Sequence, residues 1–195
     1  MTDTSMIDML DTVNAQVQAR AARLVDTIVK PRSVVEIGLG GGGFFTKMRR
    51  NVEFVGVDPS TTVVRTFNTR YAEPRRVIAY RGNVSMLPAP DACCDCVVTL
   101  GTVSRWHSSA AALGEFRRVL KPGGTLVLGF ATNGEDPYPW DDPAERWQAI
   151  DESDVATMFS VSKFEAFYVE KFTDEPLVCD VRRKRDYTIV VADSV

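Results

Sequence analysis

The chain is poor in histidine, which occurs once, as His107. Any reaction that needs a histidine base must therefore use that residue. Basic excess is missing too: the formal net charge is −3. So weak a field, and of that sign, does not draw a protein to phosphate backbones or anionic lipid, which disfavours nucleic acid as a partner. No apolar run approaches the roughly 20 residues that span a bilayer, so no membrane span is expected. The first ten residues, MTDTSMIDML, carry acids where a secretory signal carries a basic segment. The expected location is cytoplasmic. Cysteine is sparse as well. Cys93, Cys94 and Cys96 stand too close together for a disulfide framework or a tetrahedral CxxC-type zinc site, so they read as free thiols in a strand, and no metal site is expected.

What is present is ordinary globular material. Apolar residues make up 45% and charged residues 25% of the 195 residues, proportions that exclude a disordered or fibrous chain. The length falls within the roughly 100–200 residues of one domain, so residues 1–195 are read as a single domain. Apolar residues at Met6, Met9, Leu10, Val13, Val17, Ala21, Leu24, Val25 and Ile28 recur at spacings of three and four. That pattern predicts a helix over 5–29, ended by Pro31. The segment 1–30 is accordingly expected to be an N-terminal helix able to serve as a lid.

From residue 33 the chain alternates between short apolar runs and helical patterns. The strand-like runs are SVVEIG, VEFVGVD, RRVIAY, CDCVVTL and TLVLGF; the helical ones include STTVVRTFNTRYA and SSAAALGEFRRVL. Such alternation predicts a doubly wound α/β sheet, mostly parallel, with helices on both faces. After the loop 133–148 come a helix, ESDVATMF, and two strand-like runs, KFEAFYVEKF and DYTIVVAD. Their connection is too short for a helical crossover, so this pair is expected to be antiparallel.

The strongest local signal is Val34-Val35-Glu36-Ile37-Gly38-Leu39-Gly40-Gly41-Gly42-Gly43. Glycines between a strand and a helix let a ligand approach the backbone where no Cβ intervenes. Two templates fit. Gly38, Gly40 and Gly43 satisfy the dinucleotide pattern GxGxxG, as in an NAD-dependent oxidoreductase. Glu36, Gly38, Gly40 and Gly42 satisfy (D/E)xGxGxG. Glu36 favours the second, because its carboxylate suits a cationic amino-acid portion and repels a pyrophosphate. Asp58 ends the second strand about twenty residues on, where a carboxylate accepts from ribose hydroxyls of either cofactor. A helix-capping role for Asp58 is the alternative, although Ser60 is at hand for it.

Together with GNVSMLPAPDACCDCVVTL and EFRRVLKPGGTLVL, this loop resembles the class I S-adenosylmethionine-dependent methyltransferases, type 11, related to quinone-biosynthesis C-methyltransferases. The resemblance rests on four successive motifs between about residues 33 and 131. It implies a Rossmann-like seven-stranded sheet in the order 3-2-1-4-5-7-6, with the last strand antiparallel. It also implies S-adenosylmethionine as cofactor and S-adenosylhomocysteine as product. Carried over, Glu36, Gly38, Gly40 and Gly42 would hold the methionine part, Asp58 with Pro59 the ribose, and Asn83 with Val84 the adenine. Asn83 stands where the family has aspartate; an amide oxygen can accept the same bond without the charge. Leu87 and Pro88 match the family pattern but read equally as a turn packed on the core.

Strand four ends at Leu100, followed by GTVSRWH, and ligands of open α/β sheets sit at the carboxyl ends of strands. His107 is thus the candidate base, although capping the next helix or lining the adenosine pocket is the plainer role. A sulfonium methyl donor is already activated, so no nucleophilic residue is required. Tyr138, Pro139, Trp140, Asp141 and Asp142 could wall the acceptor site, supply a base in Asp141, or remain a solvated loop. The basic run Arg182-Arg183-Lys184-Arg185 reads as a solvated turn that discourages edge pairing, with contact to RNA or an acidic protein as the alternative. The expected acceptor is a small molecule, enclosed by the N-terminal helix and the 133–148 loop or by the second subunit of a homodimer. A methyltransferase-like module that binds cofactor without turnover is the remaining alternative.

Overall fold

The computed structural model describes residues 7, 9, 11–49, 51–134, 150–178, 181, 182 and 184–195. The candidate loop residues Tyr138 to Asp142 lie outside them.

Helical residues 11–13 lead through a turn at Asn14 into α1, Ala15–Leu24. The helix widens into a π-helical turn, Val25–Val29, and stops at left-handed Lys30 (φ 52°), one residue before Pro31. The single helix expected over 5–29 is therefore broken at Asn14. Then come β1, Ser33–Ile37; α2, Gly43–Lys47; β2, Glu53–Asp58; α3, Thr61–Tyr71; β3, Val77–Arg81; and β4, Cys94–Leu100. The chain continues with α4, Ser109–Val119; β5, Leu120–Gly134; α5, Glu152–Ser162; β6, Phe164–Asp174; and β7, Arg185–Ser194. A two-residue ladder, Leu177–Val178 against Val181–Arg182, intervenes before β7.

The seven strands lie in the order β3-β2-β1-β4-β5-β7-β6. Neighbours from β3 to β5 are parallel, and β7 runs antiparallel to both β5 and β6. Every residue of β1 is buried, as a strand covered on both faces must be. Alternate residues divide between two cores. Val34, Cys96, Val98, Val127 and Ile189 pack with α1 and α3 on one face. Val35, Val97, Leu126, Leu128 and Val190 pack with α4 and α5 on the other.

The KPGG segment is drawn into β5. Cys94 pairs with Leu120 and Cys96 with Thr125, so residues 121–124 bulge out of the ladder, with Gly123 at φ 71°. The Asp95 carboxylate braces this corner, accepting from Lys121 Nζ (2.6 Å) and from the backbone of Arg32 and Ser33. Cys94 and Cys96 are buried free thiols and Cys93 is half-buried; burial first, then neighbouring charge, raises the pKa of both Cys94 and Cys96. No group of metal-ligating side chains occurs among the described residues, and none of the described helices is long and apolar enough to cross a membrane.

Candidate functional site

A cavity of about 680 Å³ opens over the carboxyl ends of β1, β2 and β4, within the range of small-ligand sites. Its lining brings together Glu36, Gly38, Gly40, Asp58, Pro59, Asn83, Val84, Leu100 and His107, which lie far apart in the chain. The crossing of parallel strands does this, because each parallel strand delivers its last residue to the same edge of the sheet. Leu87 and Pro88 are not in the lining; the Leu87 amide donates to Glu115 Oε2 (2.7 Å) and its side chain is buried in the core.

Gly38 and Gly40 hold left-handed φ values of 82° and 54°, which a side chain would strain. At Gly38 a Cβ would also run into Thr102. Gly42 behaves differently. It caps α2 at φ 91°, and the space of its missing side chain is filled by Tyr71 and Phe67 rings at 2.9 and 3.2 Å. Its glycine thus serves packing of the turn, outside the cavity lining.

Glu36 is 2% exposed and its Oε2 is buried without a hydrogen-bond partner. Burial first, and then the charges of Asp11 and Asp58, hold its pKa well above the usual carboxylate range. A buried charge without a partner is costly, which favours the protonated form of this carboxyl as long as nothing cationic lies against it. Asp58 is also buried, and desolvation raises its pKa. Its Oδ2 accepts from Leu39 N (3.0 Å) and its Oδ1 from Ser60 N (2.8 Å), tying the glycine loop to β2. Ser60 Oγ caps α3 by accepting from Val63 N, so the capping role does not fall to Asp58.

Asp11 was not legible from the sequence, yet it controls the loop. Its Oδ1 accepts from the backbone N–H of Gly41 (3.0 Å) and Gly43 (3.3 Å) and from Gln18 Nε2. Lys47 Nζ in turn donates to Gln18 Oε1 (3.2 Å). The amides that open α2, where a helix attracts an anion, are thus taken by a side chain of the N-terminal segment. Ile7, Asn14 and Gln18 from the same segment line the cavity. The only available signal was an acid one helical turn before α1, which resembles any exposed helix acid.

At the adenine end suggested by resemblance, Asn83 Oδ1 accepts from Ser85 N (2.9 Å), and Val84 is half-buried against the core. His107 is exposed at the rim. It does not cap α4; Ser108 Oγ does, accepting from Ala111 N. Trp106 is a wall, donating from Nε1 to Thr102 Oγ1 (3.0 Å) and packing edge-on against Phe116.

The basic run divides. Arg182 and Lys184 are exposed, but Arg185 is 2% exposed and lines the cavity beside Tyr187. The solvated turn expected of the run is corrected at this residue. The reason is register: Arg185, Tyr187, Ile189 and Val191 share one face of β7, and that face is the core. Extending the period-two pattern back by one step would have found it.

Residues 35–128 match the methyltransferase domain family. Over that stretch, a little under half of its length, the chain is similar to the S-adenosylmethionine-dependent methyltransferases. It is 33% identical over 100 residues to a probable S-adenosylmethionine-dependent methyltransferase of Mycolicibacterium smegmatis, covering 50% of this chain and 37% of that protein. It is 33% identical over 122 residues to a malonyl-[acyl-carrier protein] O-methyltransferase of Herminiimonas arsenicoxydans, covering 61% and 44%. The chain therefore spans less than half the length of these curated relatives. A putative methyltransferase from Bacillus halodurans shares the fold at a TM-score of 0.73 and 15% identity, covering 92% of this chain and 99% of that one.

Proposed function

We propose that this chain is a class I methyltransferase that moves the methyl group of S-adenosylmethionine to a small-molecule acceptor. The observation that carries the reading is the buried, unpartnered Glu36 Oε2 beside two further carboxylates in a glycine-walled cavity. A cationic amino-acid portion fits that environment. Glu36 would accept from its ammonium, Gly38 and Gly40 would let it lie against the backbone, and Asp58 would use its remaining lone pairs on the ribose hydroxyls. Asn83 and Val84 would receive the adenine. When bound, the cofactor supplies an activated sulfonium methyl. The protein's own part is to fix that group facing the end of β4 and to exclude water, the kind of positioning that supplies much of a rate enhancement. Ile7, Asn14 and Gln18 form the cover, so the N-terminal segment acts as the lid of one domain.

A dinucleotide reading fares worse. The amides of Gly41 and Gly43 already serve Asp11, and a pyrophosphate would face the carboxylates of Glu36 and Asp58.

A melting curve tests the proposal without a known acceptor. A ligand at about a hundred times its Kd stabilises the folded state by about 2.7 kcal/mol. At roughly 2–4 °C per kcal/mol for this size of chain, S-adenosylhomocysteine should raise the midpoint by about 5–11 °C. NAD and NADP should give no comparable shift. Stabilisation by NAD alone would refute the assignment.

A further inference from the structure

The glycine loop has no backbone donor left to offer a ligand. Gly38 N donates to Val57 O and Gly42 N to Leu39 O. Asp58 holds the amides of Leu39 and Gly40, and Asp11 holds those of Gly41 and Gly43. An amino-acid portion laid against this loop carries a carboxylate as well as an ammonium. Glu36 can serve only the ammonium, because an ionised carboxylate has no proton to donate and repels a second one. The donor for the ligand's carboxylate must come from across the loop.

Thr102 stands there. It is half-buried in the cavity lining just after β4, and its methyl occupies the space that a Gly38 side chain would need. Its Oγ1 accepts from Trp106 Nε1 (3.0 Å) and lies 2.5 Å from Thr99 Oγ1. Burial decides which hydroxyl donates across that short contact. Thr99 is 0% exposed, and among the described residues its hydroxyl bonds to Thr102 alone. A buried hydroxyl whose proton goes unused is costly, so Thr99 donates. Both lone pairs of Thr102 are then taken, by Thr99 and by Trp106, and its own proton points away from them, towards the cavity. Trp106 is fixed in turn by packing edge-on against Phe116 (5.4 Å between centroids). Arg105, exposed on the same turn, sets its charge against Asp58.

Resting on the methyltransferase reading, we infer that Thr102 is a cofactor-binding residue whose hydroxyl donates to the carboxylate of the cofactor's amino-acid portion. Thr99 and Trp106 are positioning residues that hold its proton in that direction. Glu36 and Thr102 thus divide the two ends of the amino acid between an acceptor and a donor on opposite sides of Gly38.

Binding measurements with two ligands test this without an acceptor or turnover: S-adenosylhomocysteine, and its decarboxylated analogue, which keeps the ammonium. Loss of the carboxylate also removes a negative charge from beside Glu36 and Asp58, so a wild-type preference for S-adenosylhomocysteine requires a donor to the carboxylate. That preference should be about 10- to 100-fold, the worth of a hydrogen bond to a charged group. Thr102→Val should erase it to within about twofold, whereas Thr102→Ser, which restores the hydroxyl, should keep it. Trp106→Phe retains an aromatic wall but frees the hydroxyl to turn, so its preference should fall between the two. A merely structural role would weaken both ligands alike and leave the preference unchanged. No preference in the wild type, an unchanged preference in Thr102→Val, or, where that variant does not fold, an unchanged preference in Trp106→Phe would overturn the inference. Failure of the wild type to bind either ligand would instead bring down the methyltransferase reading, and this inference with it.

Discussion

Replacing Glu36 with Gln should weaken cofactor binding and at the same time stabilise the protein without cofactor. The side chain keeps its shape but loses its charge. Hydrogen bonds to charged groups are worth about 1.5–3 kcal/mol, so affinity for S-adenosylhomocysteine should fall by about 10- to 150-fold. The sign of the stability change follows from the raised pKa of Glu36. Between the unfolded pKa near 4.5 and the higher folded one, the native state holds more protons than the unfolded state. Stability is lost as pH rises through that window. Glu36→Gln is exempt from the loss. Without ligand at neutral pH it should melt above the wild type, by roughly 2–4 °C for each kcal/mol of relieved burial, and the advantage should vanish in acid. Binding to the wild type requires Glu36 to ionise, so its affinity should climb with pH across the same window while that of the variant stays flat. Calorimetry in buffers of different ionisation enthalpy would detect the released proton. Equal affinity of variant and wild type at every pH, or a less stable variant at neutral pH, would refute the reasoning.

Asp11→Asn should loosen the N-terminal segment from the glycine loop, since the two loop amides lose a charged acceptor; faster hydrogen exchange at Gly41 and Gly43 checks this, and unchanged protection counts against the latch. Gly40→Val should abolish S-adenosylhomocysteine binding in a protein that still folds, because a branched residue at φ 54° is strained and fills the ligand's approach; retained affinity by calorimetry would exclude the loop from the site. His107→Ala should lower turnover less than tenfold, since an exposed rim residue is poorly placed for proton transfer. A loss of about 10²–10⁴-fold with loss of an acidic limb from the pH profile would make it the general base.

The alternation of strands and helices, the glycine run between Ile37 and Phe44, and the acid ending VEFVGVD were legible in the sequence because they are local. A periodicity of two or 3.6, or a residue type demanded by a backbone angle, lies within a few neighbours. The same locality made β1 and β4 readable as buried strands, and Ser60 as the helix cap that released Asp58 for other work. Three decisions needed the folded chain. Gly42 belongs to the same motif as Gly38 and Gly40, yet Phe67 and Tyr71, brought over from α3, claim its empty side-chain space. Asp11 reaches the amides of Gly41 and Gly43 across thirty residues, and no helical pattern distinguishes such an acid from one facing water. Arg185 sits in a run of four basic residues whose charge alone says solvent; antiparallel pairing of β7 with β5 and β6 turns that one residue inward. Sequence determines which groups can do chemistry and which backbone can bend. Which of them share a cavity is decided by long-range packing, where contacts between distant residues set the environment and hence the charge each group carries.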